Sequence, residues 1–152
     1  MKLRAQRGPT VHHDDYLSAG PLEDAERSTT DITEEEFVTG PFTDLPFVLG
    51  LRVFQCRQAV AAKRDGARPV WFYGLTDNSW ACVMFRDEEA QAAVWQSGPR
   101  RLWDEASGAY RWWKDRGSPE LTRFGLTATA YGRQHAWLDD PASESWPVHH
   151  PA

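Results

Sequence analysis

Histidine and aspartate side chains near the end of the chain are the residues that could carry acid–base chemistry. His135 precedes Asp139 and Asp140 by only a few positions, and a histidine beside a carboxylate can act as a general acid–base pair. No recognisable turn places a serine or cysteine nucleophile beside them. A small enzyme that uses these three residues is therefore one hypothesis, and a solvated histidine at a strand edge is the simpler interpretation.

Metal and cofactor chemistry has little support in the sequence. The run His12-His13-Asp14-Asp15 and the pair His149-His150 contain ligand-type residues, but nothing in these terminal stretches fixes the geometry that a metal requires. Cys56 and Cys82 lack the spacing of zinc ligands, and we expect two free thiols in a reducing compartment. A glycine-rich strand–GxGxxG–helix motif is missing. We predict no cofactor and no metal.

Aromatic and arginine side chains could instead form a binding surface. The stretch LWDEASGAYRWWKDRG, residues 102–117, contains three tryptophans and a tyrosine. If it is helical, one line of apolar residues faces the core, and Trp112 points about 100° away from Trp113. Aromatic rings offer area and arginines can grip carboxylates with two hydrogen bonds. The candidate peptide contacts are Arg100, Arg101, Trp103, Trp112 and Trp137.

Each of these candidates also has a purely structural interpretation. The stripe formed by Leu102, Ala106, Ala109 and Trp113 is most simply the inside of a small core. The two arginines lie beside Asp104 and Glu105, which together would make a solvated ion-pair surface at the start of a helix. In the functional alternative, Trp112 or Trp103 lies on an open aromatic surface that grips a peptide.

The charge pattern limits the possible partners. The chain has 152 residues and a formal net charge of −5. Residues 1–44 carry ten acidic and four basic side chains, whereas all eight tryptophans follow residue 70. This acidic balance lacks the basic stripe that nucleic-acid backbones require. With neither a signal peptide nor a long apolar run, the sequence predicts a cytoplasmic protein that binds neither nucleic acid nor membrane.

Several segments have recognisable secondary-structure patterns. Thr33 and Glu36 fit a capping box for a short helix over 34–38. The apolar alternation in LPFVLGLRVF predicts a strand over 47–54, and RQAVAAKRDGARP predicts a loop or a short helical turn. VWFYGL and WACVMF, joined by residues 76–79, predict a hairpin. AQAAVWQSG is compatible with either a helix or a strand.

The second half of the sequence predicts a long helix and another hairpin. Pro99 suits a first helical turn and Gly117 a helix end, so the helix should cover 99–116. RFGLTATAYGRQHAWLDDP predicts a hairpin that turns at Tyr131-Gly132. The expected fold is α+β: an antiparallel sheet of four to six strands with one long amphipathic helix on one face. We divide the chain into an irregular acidic leader (1–44), a compact domain (45–148) and a tail (149–152).

Residues 98–141 also resemble a known region. The segments GPRRLWDE, RWWKD, RFGLT and WLDDP, with LRAQR, ERSTTDIT and PFVLGLRV upstream, resemble the C-terminal region of protein-L-isoaspartate O-methyltransferase-like enzymes associated with lanthipeptide and graspetide biosynthesis. Those enzymes carry a Rossmann-like methyltransferase domain ahead of this region, and its glycine-rich cofactor loop has no counterpart here. The resemblance therefore implies an accessory module, and no catalytic residue can be transferred from the family.

We accordingly expect a non-catalytic module that binds an acidic or modified peptide, or that supports a methyltransferase domain in cis or in trans. Two alternatives stay open at this point. One is the small enzyme with an acid–base site at His135, Asp139 and Asp140. The other is a regulatory protein whose acidic leader docks on a basic partner, an association that salt would weaken.

Overall fold

The fold is α+β, and both of its sheets are antiparallel. The computed structural model describes residues 24–38 and 45–148. Within them the larger sheet has five strands in the order β1-β5-β4-β3-β2, and the smaller sheet has three in the order β6-β7-β8. The elements are β1 (Glu26–Thr30), α1 (Glu34–Val38), α2 (Leu45–Arg52), β2 (Cys56–Val60), β3 (Ala67–Gly74), β4 (Trp80–Arg86), β5 (Ala92–Ser97), α3 (Leu102–Asp115), β6 (Phe124–Ala128), β7 (Gln134–Leu138) and β8 (Ser145–Pro147).

The predicted hairpin around residues 76–79 forms the centre of the larger sheet. β3 pairs with β4 in a register that places Val70 opposite Val83. At the turn, Gly74 donates its backbone N–H to the carbonyl of Ser79 at 2.9 Å, and Asp77 accepts the N–H of Ser79 at 2.8 Å. The ambiguous segment after the hairpin is a strand, because Ala92–Ser97 pairs with both β4 and β1.

The strand predicted over 47–54 is wrong, since residues Leu45–Arg52 form helix α2. Leu45, Val48 and Leu49 are buried, with Val53 just beyond the helix end. This is the i, i+3, i+4 spacing of a helix face. Because nearly every position in LPFVLGLRVF is apolar, the stretch satisfies a period of two and a period of 3.6 equally well, and packing against α3 selects the helix.

The segment RQAVAAKRDGARP was predicted as a loop or helical turn, and it contains strand β2 instead. Cys56–Val60 pairs antiparallel with β3, so that Ala59 lies opposite Trp71. β2 is an edge strand with mostly exposed side chains. Its sequence therefore lacks the alternation of a half-buried strand, and its partner determines its conformation.

Part of the predicted irregular leader belongs to the folded domain. Glu26–Thr30 forms β1 and pairs with β5, which corrects the expectation that only one short helix interrupts residues 1–44. That helix is confirmed as Glu34–Val38, and so is its capping box. Thr33 donates its backbone N–H to Glu36 at 2.8 Å, and Glu36 donates its own to the Thr33 hydroxyl at 3.1 Å.

Helix α3 packs the predicted apolar stripe against the larger sheet. Leu102, Ala106 and Ala109 are buried, and Trp113 packs partly buried against the same core. The helix begins at Leu102 rather than at residue 99. It ends where Gly117 adopts φ +79° and Ser118 donates its N–H to the carbonyl of Trp113 at 3.0 Å, as in a glycine-terminated helix. Among the described residues, no helix is long and apolar enough to cross a membrane.

The smaller sheet contains the second predicted hairpin and one strand that the sequence did not indicate. β6 and β7 pair so that Gly125 lies opposite Trp137. Gly132 adopts φ +77° within the connecting turn. β8 adds to the other edge of β7, with Trp146 opposite Ala136. At three residues, β8 is too short to leave a periodic pattern.

The two cysteines are free thiols on opposite faces of the larger sheet. Cys82 lies opposite Trp71, whereas Cys56 lies opposite Gly74 and shares the face of Phe72. Because successive side chains point to opposite faces, the two sulfurs cannot form a disulfide bond within this fold. Burial raises the pKa of the Cys82 thiol to about 12, so it is held as the unreactive thiol.

We therefore expect the two thiols to react at different rates with Ellman's reagent in the native protein. Cys56 should react first because it is only half-buried, and Cys82 should react only when the chain unfolds, since the thiolate is the nucleophile. The variant Cys56→Ser should show almost no native reaction and one full equivalent in denaturant. Fast native labelling of Cys82 would contradict its burial.

Candidate functional site

Trp103, one of the predicted peptide contacts, is a core residue. Its side chain is only 4% exposed. The ring lies 5.2 Å from that of Phe37 and 6.0 Å from that of Phe72, measured between centroids. Its position on α3 directs it to the sheet and α1, so it offers no surface to a ligand.

Arg100 and Arg101 already have carboxylate partners. Arg100 donates Nε and Nη2 to the two oxygens of Glu105 at 3.0 and 2.7 Å. Arg101 binds both Asp104 and Glu26, and its hydrogen bonds lower the pKa of the Glu26 carboxyl. These contacts connect β1 to the start of α3, which favours the interpretation as an ion-pair surface.

Trp137 lies on the smaller sheet, away from α3. Its ring covers Gly125, where an added Cβ would fall 2.1 Å from the indole, and its Nε1–H donates to the Thr127 hydroxyl at 3.0 Å. Trp146 is opposite Ala136 in the sheet, so Trp137 and Trp146 occupy different faces. The structure therefore does not bring the five predicted contacts together.

Trp112, another predicted contact, lines an open cavity. The cavity has a volume of about 340 Å³ and lies between the last turn of α3 and the smaller sheet. We call it the Trp112 pocket. Its lining residues are Trp112, Arg116, Arg123, Leu138, Asp139, Ser143, Glu144 and Trp146.

Two arginines contact the indole of Trp112. The guanidinium carbon of Arg52, at the end of α2, lies 4.3 Å from the ring centroid, and that of Arg116 lies 4.2 Å from it. Trp146 of β8 packs edge-on at 5.2 Å with an interplanar angle of 88°. Cation–π contacts at this range are favourable, and a tryptophan ring is the strongest partner for them.

The arginines in and beside the Trp112 pocket differ in how closely a carboxylate pairs with them. Arg123 donates Nε and Nη2 to Asp139 at 2.9 and 2.7 Å, and this pairing lowers the pKa of the Asp139 carboxyl. Among the described residues, Glu144 is the carboxylate paired with both Arg116, at 3.3 Å, and Arg52, at 3.9 Å. Burial and, to a smaller degree, the neighbouring Arg116 lower the pKa of Arg52, whereas Glu144 raises it.

The indole N–H of Trp112 is a buried polar group beside the pocket. Its Nε1 is buried and has no hydrogen-bond acceptor within the part of the chain that the structure describes. A buried donor left in this state costs about 1–3 kcal/mol. Such exceptions are rare in folded proteins and each needs an explanation, which a binding site can supply.

The acid–base hypothesis gains no support from the geometry. Both carboxylate oxygens of Asp139 accept hydrogen bonds from Arg123, and Asp140 accepts the backbone N–H of Ala142 at 2.8 Å. Neither aspartate is hydrogen-bonded to His135 among the described residues. Across residues 24–38 and 45–148 no cluster of histidine, cysteine and acidic groups suits a metal, and the histidine pairs at residues 12–13 and 149–150 lie outside the described residues.

Most residues of the Trp112 pocket could not be predicted from the sequence, because they are far apart along the chain. Arg116 caps the end of α3 and follows Trp112 by four positions. This spacing places neighbours on one helix face, so the pair was detectable from the sequence. Arg123 and Trp146 line the pocket, and Arg52 contacts the Trp112 ring beside it. They come from distant parts of the chain and meet only because α2 packs on α3 and the smaller sheet contacts both helices.

Comparison with known proteins identifies no significant match to this chain. We find no protein family, no curated protein and no solved structure that the chain matches significantly. The resemblance of residues 98–141 to a methyltransferase-associated region therefore stays a prediction from the sequence, and the chemistry of the Trp112 pocket is the basis for assigning a function.

Proposed function

We propose that this chain is a non-catalytic recognition module that binds an acidic peptide segment at the Trp112 pocket. The observation that carries the proposal is the arrangement of Arg52 and Arg116 against one indole, with Glu144 in contact with both guanidinium groups. Two guanidinium groups that hold one carboxylate only at 3.3 and 3.9 Å can donate their hydrogen bonds to the carboxylate of a ligand.

The composition of the pocket suits a peptide side chain. Tryptophan and arginine are the residues most enriched among the energetically dominant contacts of protein interfaces. Trp112 and Trp146 supply aromatic area, Leu138 supplies an apolar wall, and Arg116 supplies positive charge. Arg52 adds a second positive charge beside the pocket, against the Trp112 ring. A volume of about 340 Å³ lies at the small end of the range for ligand sites, so one or two side chains would fill it.

The resemblance to isoaspartate methyltransferase-like enzymes gives this proposal a possible biological setting. A module that works beside such an enzyme would hold an aspartate-containing peptide, and an arginine-rich pocket has the matching charge. S-adenosylmethionine should then not bind the isolated chain saturably. Saturable binding of that cofactor would overturn the non-catalytic part of the proposal.

The competing idea of an acidic leader that docks on a basic partner is less consistent with the contacts. Glu26 is paired with Arg101, and Glu34 with Lys63 and Arg68. These acidic groups are thus already engaged inside the domain. The described part of the leader consequently offers less free negative charge than its sequence indicates.

A direct test is to titrate N-acetyl-aspartate N-methylamide, which carries one carboxylate between two peptide groups, into the protein. We expect the indole N–H resonance of Trp112, assigned with Trp112→Phe, to shift saturably in a heteronuclear NMR spectrum. The matched compound N-acetyl-asparagine N-methylamide should bind at least about tenfold more weakly, because charge-assisted hydrogen bonds are roughly twice as strong as neutral ones.

The variant Arg116→Gln should weaken binding of the aspartate compound by about tenfold, since a hydrogen bond to a charged group contributes about 1.5 kcal/mol or more. Arg111→Gln is the matched control: it removes the same charge from an exposed position of α3 that does not line the pocket. Equal binding of both variants would mean that the arginine–tryptophan contacts only stabilise the fold.

A further inference from the structure

We infer that Glu144 is an internal competitor whose carboxylate occupies the place that a ligand carboxylate takes on Arg52 and Arg116. The inference rests on the proposed function and deepens it, because it assigns a regulating residue to the same pocket. Glu144 lines the pocket, and its two oxygens approach Arg52 and Arg116 separately. It thus imitates the acidic side chain that the pocket would bind.

The contacts of Glu144 are weaker than those of the neighbouring ion pair. Arg123 and Asp139 form two hydrogen bonds of 2.9 and 2.7 Å. Glu144 reaches Arg116 at 3.3 Å and Arg52 only at 3.9 Å, and its side chain is 55% exposed. Exposed ion pairs with such geometry contribute little net stability. A ligand can therefore displace this carboxylate while Asp139 stays on Arg123.

The local backbone allows Glu144 to move its side chain alone. The turn before it has its own hydrogen bonds: Ala142 donates to the Asp140 carboxylate at 2.8 Å, and Ser143 donates its backbone N–H to the Asp140 carbonyl at 3.0 Å. The Ser143 hydroxyl also donates to the Leu138 carbonyl at 3.0 Å. None of these bonds involves Glu144, so rotating its side chain leaves the turn intact.

When a ligand carboxylate displaces that of Glu144, the net charge around Arg52 and Arg116 stays the same. With Glu144 in place, one carboxylate faces the two guanidinium groups stacked on Trp112. When Glu144 turns into solvent, an incoming carboxylate replaces the lost charge, whereas a neutral side chain leaves two like charges close together. The pocket would thus admit acidic ligands in preference to neutral ones, and wild-type affinity would be reduced by the fraction of time that Glu144 occupies the site.

The test compares Glu144→Gln with wild type in the same titration of N-acetyl-aspartate N-methylamide. Removing the competing charge should tighten binding by at least about threefold, by the same population argument. Glu88→Gln is the matched control, because it removes one negative charge at an exposed position outside the pocket and should leave the affinity unchanged. Urea unfolding of each variant checks that the fold is intact.

The outcomes separate this inference from the proposed function. If wild type binds the aspartate compound and Arg116→Gln weakens it, but Glu144→Gln binds equally or more weakly, then the competitor role is wrong and the proposed function stands. If neither wild type nor Glu144→Gln binds, both are wrong. In the double variant Arg116→Gln with Glu144→Gln the gain should be smaller, since Arg116 is the closer of the two guanidinium groups that Glu144 contacts. A full gain in that background would overturn the inference.

Discussion

Replacing Trp103 with alanine is expected to lower the free energy of unfolding by about 3–5 kcal/mol, the range for deleting a large buried aromatic side chain. The ring is 4% exposed and contacts Phe37 of α1 and Phe72 of β3. Its loss leaves a cavity where α1, α3 and the sheet meet. Equilibrium urea unfolding, followed by far-ultraviolet circular dichroism, measures the change.

Trp112→Ala is the matched comparison, because it removes the same side chain from the same helix at a half-buried position. It should destabilise the fold by less than half as much as Trp103→Ala, since less apolar area returns to water. Binding of the aspartate compound should nevertheless be lost. If the two variants lose equal stability, Trp112 is a core residue and the pocket is not an independent site.

The contrast between Trp103 and Trp112 shows how much of the fold can be predicted from the sequence. The apolar periodicity of residues 102–113 was sufficient to place the helix and most of its buried face. It could not distinguish Trp103 from Trp112 as a surface ring. That distinction depends on Phe37 of α1, which covers the Trp103 ring. Helix α1 lies within residues 1–44, a segment whose composition predicts mostly irregular structure.

Three elements, α2, β1 and β2, were not predicted because their sequences fit either more than one periodic pattern or none. In α2 almost every residue is apolar, so the strand and helix periods both fit, and contact with α3 decides. In β2 and β1, at the two edges of the sheet, most side chains are exposed. Backbone hydrogen bonds to β3 and β5 hold them extended, and such pairing leaves little trace in side-chain periodicity.

The candidate site was predicted only in its type of chemistry. Aromatic rings with arginines were the expected combination, and Trp112 was among the named residues, but the arginines that contact it are Arg52 and Arg116. Arg100 and Arg101 have the right chemistry, yet they lie beside Glu105, Asp104 and Glu26. Which arginine meets which ring depends on tertiary packing.

Gly98→Ala is expected to destabilise the protein by about 2–5 kcal/mol, the combined cost of backbone strain and overpacking. Gly98 connects β5 to α3 with φ +99°, and an added Cβ would lie 2.6 Å from the Cα of Ser79. Ser79 is buried, and its hydroxyl accepts the backbone N–H of Arg100 at 2.8 Å. The methyl group would therefore push the start of α3 away from the β3–β4 turn.

Gly108→Ala provides the control, because Gly108 lies in α3 with no atom within 4 Å of an added Cβ. Alanine there should raise the free energy of unfolding by about 0.5–1 kcal/mol, through helix propensity and a less flexible unfolded chain. Thermal or urea unfolding of both variants should thus give changes of opposite sign. A Gly98→Ala protein as stable as wild type would mean that the approach of Gly98 to Ser79 is looser than described, and α3 would then not depend on this contact for its position.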